Sequence, residues 1–105
     1  MDAGCSKVLI TPQRGLPLAG YFNPRPNAGV LDDLHVRCLL FRKGRTVCGL
    51  ITFDVCMISA DFVDVVLARL KEAGFRHGLG LIFSATHSHT APYVTPLFGV
   101  NPDPD

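Results

Sequence analysis

Three features of the chain predict an α/β fold built on a mixed sheet. Two apolar, β-prone runs, 35–41 and 46–54, flank a short basic connector that contains glycine. One amphipathic helical stretch follows at 59–73. Another apolar run, 80–85, comes after a short polar link. Together they read as a β-hairpin followed by a right-handed βαβ unit, because parallel strands need a crossover and crossovers are overwhelmingly right-handed.

Each element has its own warrant. Residues 7–10 form a short apolar strand that stops at Thr11-Pro12, since proline removes a donor and restricts its predecessor. From Gln13 to Asp33 the chain is punctuated by Gly15, Pro17, Gly20, Pro24, Pro26 and Gly29, which makes regular structure unfavourable. A loop of about 20 residues is unusual inside a compact domain, and it is either functional or a plain surface excursion. Between the two β-prone runs lies Arg42-Lys43-Gly44-Arg45. A turn at Lys43-Gly44 would pair Cys38 with Gly49 and Cys48 with Leu39, putting the two thiols on opposite faces. Both runs are apolar on both sides, so the sheet is expected to be covered on both faces.

The helix begins at Ser59, a good capping residue, with Asp61 near the positive end of the dipole. Phe62, Val65, Val66, Leu70 and Ala73 make one apolar stripe, and Gly74 takes the position beyond the C-cap. After residue 92 the periodicity ends, and 93–105 reads as an irregular tail. A second helix to cover the remaining sheet face is missing. The 105 residues are therefore expected to be a single domain or, better, the N-terminal part of a larger α/β domain.

Composition excludes several function classes. Ten Lys+Arg against nine Asp+Glu leave a net charge of +1, which is no footprint for nucleic acid. With 48% hydrophobic and 18% charged residues the chain is not globally disordered. Its apolar runs are too short for a transmembrane segment. No basic and apolar leader opens the chain, so a cytoplasmic location is expected. The four cysteines, Cys5, Cys38, Cys48 and Cys56, make no CxxC pair. Three of them lie in apolar runs and read as buried, reduced thiols, a disulfide or ligand role being the alternative.

Chemistry is expected at the carboxyl ends of the parallel strands, where open α/β sheets bind ligands. Asp54 ends one such strand and His87-Ser88-His89 follows the other. Residues two apart in extended chain point to the same side, so the two imidazoles can converge on one cation. Neutral imidazole is a preferred zinc ligand, and a catalytic zinc needs about three protein ligands and an open position. Asp54 could be a ligand or could fix a histidine tautomer. An acid–base pair without metal and a purely structural pair of histidines remain open for the same spacing. The pair Asp32-Asp33 reads as a solvated turn, Arg37 as half of an ion pair, and His77 as exposed.

Several blocks, in order, resemble the opening of the neutral/alkaline (non-lysosomal) ceramidase family. They are Ile10-Thr11-Pro12, Ala19-Gly20-Tyr21, Ala28-Gly29-Val30, His35-Val36-Arg37, Phe53-Asp54, and above all Ala85-Thr86-His87-Ser88-His89-Thr90-Ala91-Pro92. The likeness runs from about residue 4 to residue 93. It implies a zinc-dependent amidase that cleaves the N-acyl bond of ceramide to sphingosine and fatty acid. By that likeness His87 is a zinc ligand and His89 contacts the reacting group as oxyanion stabiliser or proton donor. Asp54 would orient the site from one shell out. The partners implied are a lipid amide or another small-molecule substrate and the remainder of the catalytic domain, which would supply further ligands. Family members are often secreted or membrane-associated. Where the family carries glycines after the motif's proline, this chain has Tyr93 and Val94. The rival expectations are a non-catalytic domain of the same fold and a metal hydrolase of another substrate. A barrel amidohydrolase would need βα repeats from the start, which the hairpin opposes.

Overall fold

A computed structural model describes residues 1–97 and 100–102 of the chain. It contains a mixed four-stranded sheet in the order β1-β2-β3-β4 with one α-helix. The strands are β1 (Asp2–Leu9), β2 (His35–Lys43), β3 (Thr46–Phe53) and β4 (Leu81–Ala85), and the helix is α1 (Ala60–Glu72). β1 and β2 pair antiparallel, as do β2 and β3, whereas β3 and β4 run parallel.

β1 is longer than its apolar signal at 7–10. All eight of its residues are exposed, so the strand is held by its backbone ladder to β2 from Asp2↔Arg42 to Leu9↔His35 rather than by burial. The turn between β2 and β3 also differs from expectation. Lys43 pairs with Thr46, which puts Gly44-Arg45 and not Lys43-Gly44 in the bend. Gly44 has φ +60° and Arg45 is not left-handed, the pattern of a type II′ turn with glycine first. The register is thereby two residues away from the expected one, with Cys38 opposite Ile51 and Cys48 opposite Phe41. A slip of two preserves the faces, so the two thiols still point to opposite sides.

α1 closes as its sequence suggests. Ser59 Oγ accepts from the Phe62 N–H at 3.2 Å. At the other end Phe75 N–H donates to Leu70 O and Gly74 N–H to Lys71 O, the two bonds of a Schellman motif. Phe62, Val66 and Leu70 pack on the sheet face formed by Val36, Cys38, Ile51, Phe53, Phe83 and Ala85. Val65, expected in the same stripe, is exposed. A 3₁₀ turn (Gly78–Gly80) leads into β4.

The opposite face is not covered by described residues, contrary to the two-sided burial that the apolar runs suggested. Cys5, Leu39, Leu50 and Ile82 are successive cross-strand neighbours there, and Ile82 is 63% exposed. Cys48, expected to be buried, is exposed on that face, Cys38 is half-buried, and Cys56 is buried; all four cysteines are free. Between residues 93 and 97 the chain forms neither strand nor helix, yet Tyr93 and Thr95 are buried. Phe98, Gly99 and residues 103–105 of the expected tail lie outside the described residues. None of the described helices is long and apolar enough to cross a membrane.

A candidate metal centre at the carboxyl edge of the parallel strands

β3 and β4 run side by side to Phe53↔Ala85, and their partnership continues past both strands. The Thr86 N–H donates to Phe53 O at 2.9 Å and the Ser88 N–H to Val55 O at 3.1 Å. This carries the segment after β3 alongside the histidine segment and brings Cys56 next to His87 and His89.

His87 is not in extended backbone. Its φ is +64°, in the left-handed region that costs a non-glycine residue about 1–3 kcal/mol. The imidazoles therefore converge through a turn at His87 and not through strand alternation. Their planes are at 87° with centroids 4.8 Å apart, and the two Nε2 atoms are separated by 3.2 Å. His87 Nδ1 lies 2.8 Å from the carbonyl of Cys56, and His89 Nδ1 lies 3.1 Å from the carbonyl of Ala19. A carbonyl only accepts, so each Nδ1 donates to it and both Nε2 atoms face the shared space.

Cys56 completes the group. Its Sγ is 3.9 Å from His89 Nε2 and 3.9 Å from His87 Nδ1. Cys56, His87 and His89 offer ligand atoms within 4.8 Å of one another, a Cys/His group that could hold a metal ion. Burial is graded across it: Cys56 is 4% exposed, His89 is half-buried and His87 is exposed.

The glycine- and proline-rich loop braces this cluster. Ala19 N–H donates to Ala91 O at 2.8 Å while the Ala19 carbonyl receives His89. Gly20, at φ +87°, lets the imidazole lie against the main chain. A Cβ there would collide with Nδ1 and Cε1 of His89 and come within 3.3 Å of Cys56 Sγ. Tyr21 meets the His89 ring edge-on at 5.8 Å, and Arg25 lies over the Tyr21 ring at 4.6 Å.

Asp54 has a different set of partners. Oδ2 accepts from Arg37 Nη1 at 2.7 Å and from the His35 N–H at 3.0 Å, and Oδ1 accepts from Thr86 Oγ at 3.3 Å. Burial pushes its carboxyl up, but the Arg37 hydrogen bond, the His35 N–H, the Arg37 charge and Thr86 outweigh that and hold it below the usual carboxylate range. It thus ties β2 and the end of β3 to the residue preceding His87. The acceptors that orient the imidazoles are main-chain carbonyls. Asp33, read with Asp32 as a solvated turn, accepts from Thr11 Oγ1 at 2.9 Å.

Neither Cys56 nor Gly20 stands out as a site residue in the sequence. The available signal is the position of Cys56 just beyond Asp54, at the carboxyl end of the strand neighbouring the histidines. Beside the centre, Pro12, Leu18, Val30, Leu31, Leu34 and Thr90 line a largely apolar groove of about 640 Å³. Leu18 and Thr90 adjoin Ala19 and His89 in the chain, so groove and cluster are neighbours. No family model matches the chain, and no curated protein does either.

Proposed function

We propose that this chain carries the metal-binding part of a zinc-dependent amide hydrolase similar to the neutral ceramidase family. The observation that carries the reading is the pair of Nε2 atoms 3.2 Å apart, with each Nδ1 held by a backbone carbonyl, at the carboxyl edge of a parallel strand pair. Two imidazole nitrogens this close hold either a shared proton or a metal ion between them, and with Cys56 alongside the donor set fits a metal. Zinc held by His87 would lower the pKa of a bound water and polarise an amide carbonyl. His89 belongs to the same reacting centre, and Asp54 is a positioning residue that acts through Thr86. The apolar groove next to Thr90 supports a substrate with a hydrocarbon arm, as a lipid amide has.

The β3–α1–β4 segment is read as a right-handed βαβ unit at the N-terminal end of a larger α/β domain. The uncovered row Cys5, Leu39, Leu50 and Ile82 supports this, as a place for the remainder of the catalytic domain. The test is hydrolysis of long-chain N-acyl amides by the zinc-loaded protein, expressed from its complete open reading frame. Fatty-acid release that stops on chelation and returns with zinc is expected. No chelator-sensitive release from any amide in the panel overturns the reading.

A further inference from the structure

We propose that Cys56, His87 and His89 together form a thiolate–bis-imidazole centre for a borderline or soft transition metal. This inference shares the metal with the hydrolase reading but does not depend on hydrolysis. It also gives His89 a role different from the one implied by the family resemblance, as ligand rather than as a group facing the substrate.

Geometry is the first support. With bonds of about 2.0–2.1 Å to nitrogen, two ligands of a tetrahedral ion lie roughly 3.3–3.4 Å apart. The Nε2 atoms are already at 3.2 Å. With a bond of about 2.3 Å to sulfur, sulfur and nitrogen lie roughly 3.5–3.6 Å apart. Cys56 Sγ is 3.9 Å from His89 Nε2, and the ligand atoms of the three residues all lie within 4.8 Å of one another, so closing on an ion takes an inward movement of up to about an ångström.

Orientation is the second. Both outer ring nitrogens are already engaged by carbonyls, one of them belonging to Cys56 itself. The ligand residue on one side therefore orients the ligand on the other. The close approach of His89 to Gly20 leaves that ring little freedom to swing away.

Donor chemistry is the third. One sulfur and two imidazole nitrogens suit zinc, cobalt(II) or copper, and they discriminate against magnesium and calcium, which take oxygen ligands. The exposure of His87 beside a buried Cys56 leaves the fourth position toward solvent, the arrangement of three protein ligands and one open site.

The experiment is a titration of the reduced chain with cobalt(II) alone. One equivalent should bind, with the visible bands of tetrahedral cobalt and a thiolate-to-cobalt charge-transfer band in the near ultraviolet. The bands should survive replacement of Cys5, Cys38 and Cys48 by serine. In Cys56→Ser the charge-transfer band should vanish and affinity should fall more than about tenfold; His89→Ala should lose at least as much, given that even outer-shell losses cost 10–100-fold. Should Cys56→Ser fail to fold, X-ray absorption of the zinc-loaded parent chain decides, one sulfur at about 2.3 Å being expected. Cobalt bound without the charge-transfer band, a shell of nitrogen and oxygen only, or unchanged affinity in His89→Ala overturns the proposal. A sulfur-containing centre without amide hydrolysis would overturn the hydrolase reading alone, and an active hydrolase with no sulfur on its metal would overturn this inference alone.

Discussion

His87, Gly20 and Asp54 each occupy a position that their residue type explains. Histidine tolerates the left-handed region better than most side chains, and at φ +64° it turns its Nε2 toward His89. His87→Gly should leave the metal-free chain as stable or up to about 1 kcal/mol more stable, because glycine relieves the strain, while metal binding is lost. Paired melts with and without cobalt measure both effects. Gly20→Ala should instead destabilise the metal-free chain and weaken metal binding as well. A methyl at φ +87° strains the backbone and displaces His89, so metal affinity should fall about 10–100-fold with every ligand still present; a competition titration against a chromophoric chelator reads this directly. Asp54 yields a pH prediction. Its folded pKa lies below its ordinary value, so its contribution is complete above that value and disappears as pH falls through the folded pKa. Arg37→Ala removes the first of the interactions that outweigh burial. The gap in stability between parent and variant, followed by urea titration from neutrality down to about pH 2, should be widest near neutrality and narrow only in acid. A gap that grows on acidification would refute the assignment.

Among the elements, α1 is almost fully legible in the sequence. Its cap at Ser59, its closure at Gly74 and the packing positions Phe62, Val66 and Leu70 are set by local chemistry and a 3.6-residue period. Ser59→Ala should cost about 1 kcal/mol in thermal or urea unfolding and leave metal affinity unchanged, since α1 contributes no ligand. Strand β1 is legible only at its apolar end. Asp2-Ala3-Gly4 carries little strand propensity, and the ladder to β2 overrides it. The turn lies one residue beyond its expected place because both Lys43-Gly44 and Gly44-Arg45 satisfy a hairpin pattern. Glycine at the first central position of a II′ turn selects the second. For the loop, sequence leaves function and idleness equally open. Its bonds from Ala19 to Ala91 and His89 make it a wall of the Cys56–His87–His89 cluster.

Among the described residues the sheet is packed on one face only. The radius of gyration is 15.2 Å, against about 13 Å for a compact chain of this length. The outer face presents Cys5, Leu39, Leu50 and Ile82 as a contiguous apolar row. Such patches are uncommon on monomeric surfaces and bind apolar probes. The chain should enhance the fluorescence of a hydrophobic dye while natively folded, and Leu50→Lys with Ile82→Lys should remove most of that signal without loss of the helix. Dye binding unchanged by the double substitution would place the patch elsewhere.

Hydrophobic periodicity and turn chemistry suffice to define the elements β2, β3, α1 and β4 and their α/β class, because those signals are local and repeat at 2 or 3.6 residues. The same strand-end logic singles out His87 and His89. What the linear chain does not reveal is their third companion. Cys56 reads as a small hydrophobe inside an apolar run, and it becomes a candidate ligand only when the β3–β4 register carries it beside the imidazoles. Gly20 likewise looks like loop punctuation until a ring from 69 positions further along the chain lies against it. Ligand sets are assembled by contacts between distant residues, and no local pattern encodes a distance.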